Sequence, residues 1–268
     1  MVNNTIPCFF TCGYTEAGEM QSFLRKINDK YTYLQSLPNK LKKKKGDSKT
    51  ISSDINGLTG EALFSKIIEI ITKYKEDYIQ SRYIIIEDDL DFRFKNSTKE
   101  YVKQYEEGKI SEIHKILPDV EVLFLYACPE IEAWFIADWS NGFGCLKNDN
   151  PFLSTLSTAD KQFFIHELNG CISTSILKKC GNDIELYPNF FEETEKLSEL
   201  IQSIIKIDVF DSIKAKNLKI YKNLISYSGI CYSKKRHGSF MLRCIDPEIL
   251  NGKCNHYFST FYRKLKSV

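Results

Sequence analysis

Apolar residues recur along this chain in two rhythms. Residues 6–10, 83–87 and 121–128 form short unbroken runs, the pattern of strands covered on both faces in a parallel sheet. Elsewhere the spacing is three and four. Met20, Phe23, Leu24 and Ile27 predict a helix over residues 16–27 with Thr15 as its N-cap. Leu63, Phe64, Ile67, Ile68, Ile70, Ile71 and Tyr74 predict another over residues 60–78, capped by Thr59. Helices are also predicted over residues 99–117, ending at Pro118, and over residues 131–139, after Pro129. This alternation over residues 1–140 predicts an α/β domain with a mostly parallel central sheet flanked by helices. Residues 141–268 predict a mainly helical extension packing on it, with helices over residues 159–168, 190–207, 211–226 and 254–265. Residues 38–60 are rich in lysine and breakers and predict an exposed loop.

Composition narrows the class. Of the 268 residues 43% are hydrophobic and 27% charged, which excludes a disordered chain. A net charge of +2 argues by itself for no partner. No apolar stretch reaches membrane-span length, and residues 1–4 lack the basic and apolar parts of a secretory signal. The expectation is a cytoplasmic protein without membrane contact. Nine scattered cysteines are then expected to be free thiols.

Charge placement changes the picture. The second apolar run ends in Glu87, Asp88, Asp89 and Asp91. Glu16 follows the first run by one turn, and Glu130 and Glu132 follow the third. Open parallel sheets bind ligands at the carboxyl ends of their strands, where all three acidic groups are expected to fall. Clustered carboxylates repel unless a cation neutralises them, and Mg²⁺ or Mn²⁺ prefers such hard oxygens. Metal at that edge suits phosphoryl transfer. Solvated loop charges and helix caps are the plain alternative for each group alone.

Residues 8–140 resemble a Toprim domain, and the chain is similar to the Toprim-like domain-of-unknown-function family 4276, related to OLD-type nucleases. Thr11-Cys12-Gly13-Tyr14-Thr15-Glu16 stands where that family has E-G-x-T-E, and Asp89-Leu90-Asp91 where it has D-x-D. The segment CPEIEAWFIADW, with Glu130, Glu132 and Asp138, matches its acidic, aromatic helix. Tyr232-Ser233-Lys234-Lys235-Arg236-His237-Gly238 and Cys254-Asn255-His256-Tyr257-Phe258 match motifs near its end. Residues 140–225 align with nothing in it. The resemblance implies a Mg²⁺- or Mn²⁺-dependent nuclease, the effector of a bacterial anti-phage system beside an ATPase of the ATP-binding-cassette type. Glu16, Asp89, Asp91, Glu130 and Glu132 would bind metal, and Glu16, Lys234 and His237 would be catalytic, the last two contacting the scissile phosphate of DNA or RNA. Cys12 departs from the pattern, because it replaces a glutamate proposed to bind metal or move protons. That leaves open a degraded, regulatory subunit that binds a partner protein.

Other features carry less. Lys42 to Lys45 could track a nucleic-acid backbone but read as solvated. Cys231, His237, Cys244, Cys254 and His256 lack the paired spacing of zinc sites and read as free thiols and histidines. Trp134 and Trp139 read as packing. The sequence has no P-loop, so ATP hydrolysis would come from a partner.

Overall fold

Four strands make one all-parallel sheet in the order β2-β1-β3-β4: β1 (Thr5–Phe9), β2 (Thr32–Leu37), β3 (Tyr83–Asp89) and β4 (Glu121–Ala127). The computed structural model describes residues 5–11, 15–16, 19–37, 57–226 and 230–268. Cys12 and Lys42 to Lys45 lie outside them. Helices α1 (Met20–Ile27), α2 (Gly60–Lys73), α3 (Lys75–Tyr78), α4 (Lys99–His114) and α5 (Glu132–Ala137) accompany the strands. The remainder is helical: α6 (Thr158–Ile172), α7 (Lys178–Cys180), α8 (Tyr187–Phe190), α9 (Leu197–Ile204), α10 (Phe210–Lys216), α11 (Leu218–Ser226), α12 (Ser239–Cys244), α13 (Pro247–Lys253) and α14 (Phe258–Ser267).

Side chains of a strand alternate between faces, and this alternation sorts the core. Ile6 and Cys8 of β1, Tyr83 and Ile85 of β3, and Leu123 and Leu125 of β4 share one face. That face packs on α1, α5 and the C-terminal helices, so one buried cluster runs from Ile6 to Leu265. Phe9, Ile84, Ile86 and Val122 face the other way, onto Leu63, Ile67 and Ile71 of α2 and Ile113 of α4. The parallel sheet is thus covered on both sides, as the unbroken apolar runs predicted.

The strand missing from the sequence reading is β2. Its residues TYLQSL contain no apolar run, and Leu34 is exposed. It is an edge strand paired only with β1, which relaxes the demand for apolar side chains. Its presence matters for function. The chain leaves β1 for β2 on one side, then returns past β1 to β3 on the other. Strand order therefore reverses between β1 and β3, and their carboxyl ends frame the crevice where such sheets bind ligands. Among the described residues no helix is long and apolar enough to cross a membrane.

Candidate functional site

Acidic residues from three strand ends converge on the core face that carries α1 and α5. Pairing of β1 with β3 continues past the strand end, where the Thr11 N–H donates to the Glu87 carbonyl at 3.1 Å and to Glu87 Oε2 at 2.7 Å. Thr11 Oγ1 also accepts the Asp89 N–H at 3.1 Å. One threonine thus fixes both Glu87 and Asp89. These two residues alternate with Asp88, so they share a face and Asp88 occupies the opposite one.

Asp88 has a structural task there. It accepts the Gly60 N–H at 3.1 Å at the start of α2 and is paired with Arg93. Gly60 has φ +56°, and a Cβ on it would lie 2.8 Å from Arg93 Nη2, so this corner requires glycine.

On the other face, Glu16, Glu87, Asp89, Glu130 and Glu132 are all buried. Burial, then the charges of Glu16 and Asp89, pushes the Glu87 carboxyl well above the usual range. Burial likewise raises Asp89, opposed by Lys234 and reinforced by Glu16, Glu130 and Glu132. Burial raises Glu132, with Lys234 opposing it. Glu130 instead ends below the usual range, because Lys234 and Ser198 outweigh its burial. Among the described residues, Glu87 Oε1, Asp89 Oδ1 and Glu132 Oε2 are buried acceptors of this group without a hydrogen-bond partner, the last of them 3.0 Å from the Lys234 ammonium. Such orphaned oxygens are uncommon in native interiors and call for a physical reason.

A cation from the far end of the chain lies among these acids. Lys234 Nζ sits 2.6 Å from Glu130 Oε2, 3.0 Å from Glu132 Oε2 and 3.9 Å from Asp89 Oδ2. These carboxylates hold the ammonium well above its ordinary pKa against the effect of burial. Tyr232 donates to Glu132 Oε1 at 2.8 Å, and Ser198 Oγ to Glu130 Oε2 at 2.9 Å. Lys234 opens a π-turn, Lys234–Gly238, that packs directly on the segment after β1. A Cβ on Gly238 would fall 2.1 Å from Thr15 Oγ1, so only glycine permits this approach.

His237 closes that turn from within. It is buried, its Nδ1 accepts the Ser233 N–H at 3.0 Å, and its ring packs on Phe152 and Tyr232. Burial, then Arg236, lowers its pKa to about 4. Asp91 departs from the group: it has φ +49° and lines a cavity of about 250 Å³ with Cys128, Glu185, His256 and Tyr257. Its carboxyl still feels Glu130, which adds to burial in raising it. Trp134 is core, stacked on Phe23 at 5.3 Å, and Trp139 is partly buried against the same cluster.

No family model, curated protein or solved structure matches the chain.

A second group went unread in the sequence. Asp183, Glu185 and His256 bring ligand atoms within 4.8 Å of one another and could hold a metal ion. Asp183 Oδ2 lies 2.9 Å from His256 Nδ1. Glu185 accepts the backbone N–H groups of His256, Tyr257 and Phe258 at 2.7–3.0 Å, which caps α14. Of this group only His256 stood out, in the cysteine and histidine set. Among the described residues the cysteines of that set are free thiols. Ser198 and Tyr232 also went unread as partners of the acids, since the contacts span 68 and 100 residues.

Proposed function

We propose that this chain is a Toprim-type nuclease that hydrolyses phosphodiester bonds with Mg²⁺ or Mn²⁺. The buried oxygens Glu87 Oε1 and Asp89 Oδ1, without a hydrogen-bond partner among the described residues, carry the reading. They stand at the crevice where strand order reverses, beside the charge of Glu16. Hard oxygens with no hydrogen-bond donor fit a small divalent cation, which takes one or two carboxylates and keeps several waters. When bound, such an ion supplies Lewis acidity at a phosphate oxygen and acidifies a water.

The chain's own residues do the rest. Glu16, Glu87 and Asp89 hold the negative side of the crevice. Glu130 and Glu132 orient Lys234, whose ammonium offers fixed positive charge to a phosphate. His237 stiffens the turn that presents Lys234, because its Nδ1 accepts the Ser233 N–H. Asp91 borders the crevice from the neighbouring cavity. The nucleic-acid substrate, the ATP-binding-cassette-type partner and the anti-phage setting follow from the family resemblance.

Purified protein, alone and with an adjacent ATPase if its gene has one, should cut DNA or RNA in Mn²⁺ or Mg²⁺, and Asp89→Asn should abolish cutting. Uncut single- and double-stranded substrates under all these conditions overturn the proposal. A second reading, a silent subunit that binds and restrains a partner, is favoured by one observation: Lys234 already neutralises part of the cluster. It predicts partner binding with no divalent-ion site.

A further inference from the structure

The acceptor oxygens of the acidic cluster fall into two halves. In the closed half, Glu130 Oε2 takes Lys234 and Ser198 Oγ, at 2.6 and 2.9 Å. Glu132 Oε1 takes Tyr232 at 2.8 Å, and its Oε2 faces Lys234 at 3.0 Å. In the open half, Glu87 Oε2 is tied to Thr11, while Glu87 Oε1 and Asp89 Oδ1 have no hydrogen-bond partner among the described residues. Asp89 stands between the halves, with Oδ2 at 3.9 Å from the ammonium and Oδ1 without a hydrogen-bond partner among the described residues.

We propose that Lys234 takes the place of one cation of a paired site, so that the crevice accepts a single divalent ion, held by Glu87 and Asp89. This rests on reading the crevice as a divalent-cation site. Two-metal phosphodiesterases place their ions about 4 Å apart, bridged by shared ligands. Here Asp89 is the shared ligand, and the second position holds an ammonium. An ion entering between Glu130 and Glu132 would have to expel a charged lysine held by ion pairs at 2.6 and 3.0 Å. Among the described residues no three of the crevice carboxylates bring ligand atoms within 4.8 Å of one another, so an ion at either position would take its remaining ligands from water. Two oxygens on alternate residues of one strand suffice for an ion that retains most of its waters. Five buried carboxylates stand beside one ammonium, and a dication entering the open half would displace the protons that burial favours there.

The arrangement has a chemical consequence. A lysine charge cannot be chelated away and needs no cellular ion. Its ammonium is a point charge with three donors, suited to one phosphate oxygen while Glu130 and Glu132 keep its other donors engaged.

Calorimetric titration of Mn²⁺ into the full chain, with electron paramagnetic resonance of the bound ion, counts the sites. The expected result is one ion per wild-type chain. Glu87→Gln should bind it at least roughly tenfold more weakly, whereas Glu130→Gln should keep it. Lys234→Met, with fold checked by circular dichroism, should take up two. Two ions in the wild-type chain would refute the substitution while leaving a cation site intact. Loss in Glu130→Gln with retention in Glu87→Gln would also refute it. No bound ion in the wild-type chain would remove the underlying reading as well. The wild-type count and the glutamine pair decide even if Lys234→Met does not fold.

Discussion

Two neighbouring acids, Asp88 and Asp89, should respond to the same chemical change with opposite sign. Asp88→Asn removes the countercharge of Arg93, whose side chain is only 24% exposed. Breaking one partner out of a buried pair costs about 3–5 kcal/mol. The lower end applies, about 3 kcal/mol, because an asparagine oxygen still accepts from Gly60. For a chain near this size about 1 kcal/mol moves the melting temperature by about 2–4 °C, so a fall of about 6–12 °C is expected. Asp89→Asn should do the reverse. Burial and three neighbouring carboxylates raise the Asp89 carboxyl well above its ordinary value, with Lys234 in partial opposition. Each tenfold weakening of acidity corresponds to about 1.4 kcal/mol held against the native state at high pH. The direction of that shift makes Asp89→Asn stabilising wherever the native carboxyl would have to ionise. The sign of the pH dependence follows. The folded chain binds this proton more tightly than the unfolded chain, so the contribution of Asp89 to stability falls as pH climbs above about 4. The gain from Asp89→Asn should therefore be full near pH 8 and vanish toward pH 4. Thermal melts of both variants in chelator at several pH values make the test. Destabilisation by both, or a gain from Asp89→Asn that does not shrink in acid, refutes the assignment of Asp88 to the frame and Asp89 to the site.

Other expectations are as direct. His237 should shape the acid limb: its pKa drops to about 4 in the fold, against about 6.5 when unfolded. Stability should thus decline as pH falls from about 6.5 to 4, and His237→Phe should flatten that decline in urea midpoints. Gly238→Ala should lose about 1–3 kcal/mol by driving a methyl against Thr15, measured by urea unfolding. Glu185→Ala should cost about 1–2 kcal/mol through the lost cap of α14, measured by thermal melting.

Much of the frame was legible because its rules are local. The runs ending at Glu87 and Cys128 and the three-four spacing of α1 and α2 follow from side-chain period alone. β2 was not legible, since an edge strand with exposed Leu34 needs no apolar run. Convergence of acids at strand ends was legible from parallel-sheet geometry, while their division of labour was not drawn from it. Period two already separates Asp88 from Glu87 and Asp89, and that signal stood in the sequence unused. Lys234 was marked through its motif, but its pairing with Glu130 and Glu132 crosses about a hundred residues and has no sequence period. The cap formed by Glu185 was illegible for the same reason.

Lys26 of α1 donates to the carbonyls of Arg243 and Ile245, and Asn28 to that of Leu265. The sheet is therefore clasped by residues 243–265, which follow closely on the turn that delivers the ammonium. During synthesis every acid of the crevice leaves the ribosome long before position 234, so the half-made chain carries a mutually repelling knot of charge. The crevice can assemble in full only after position 234 has been made, and a chain cut short before that point lacks the ammonium.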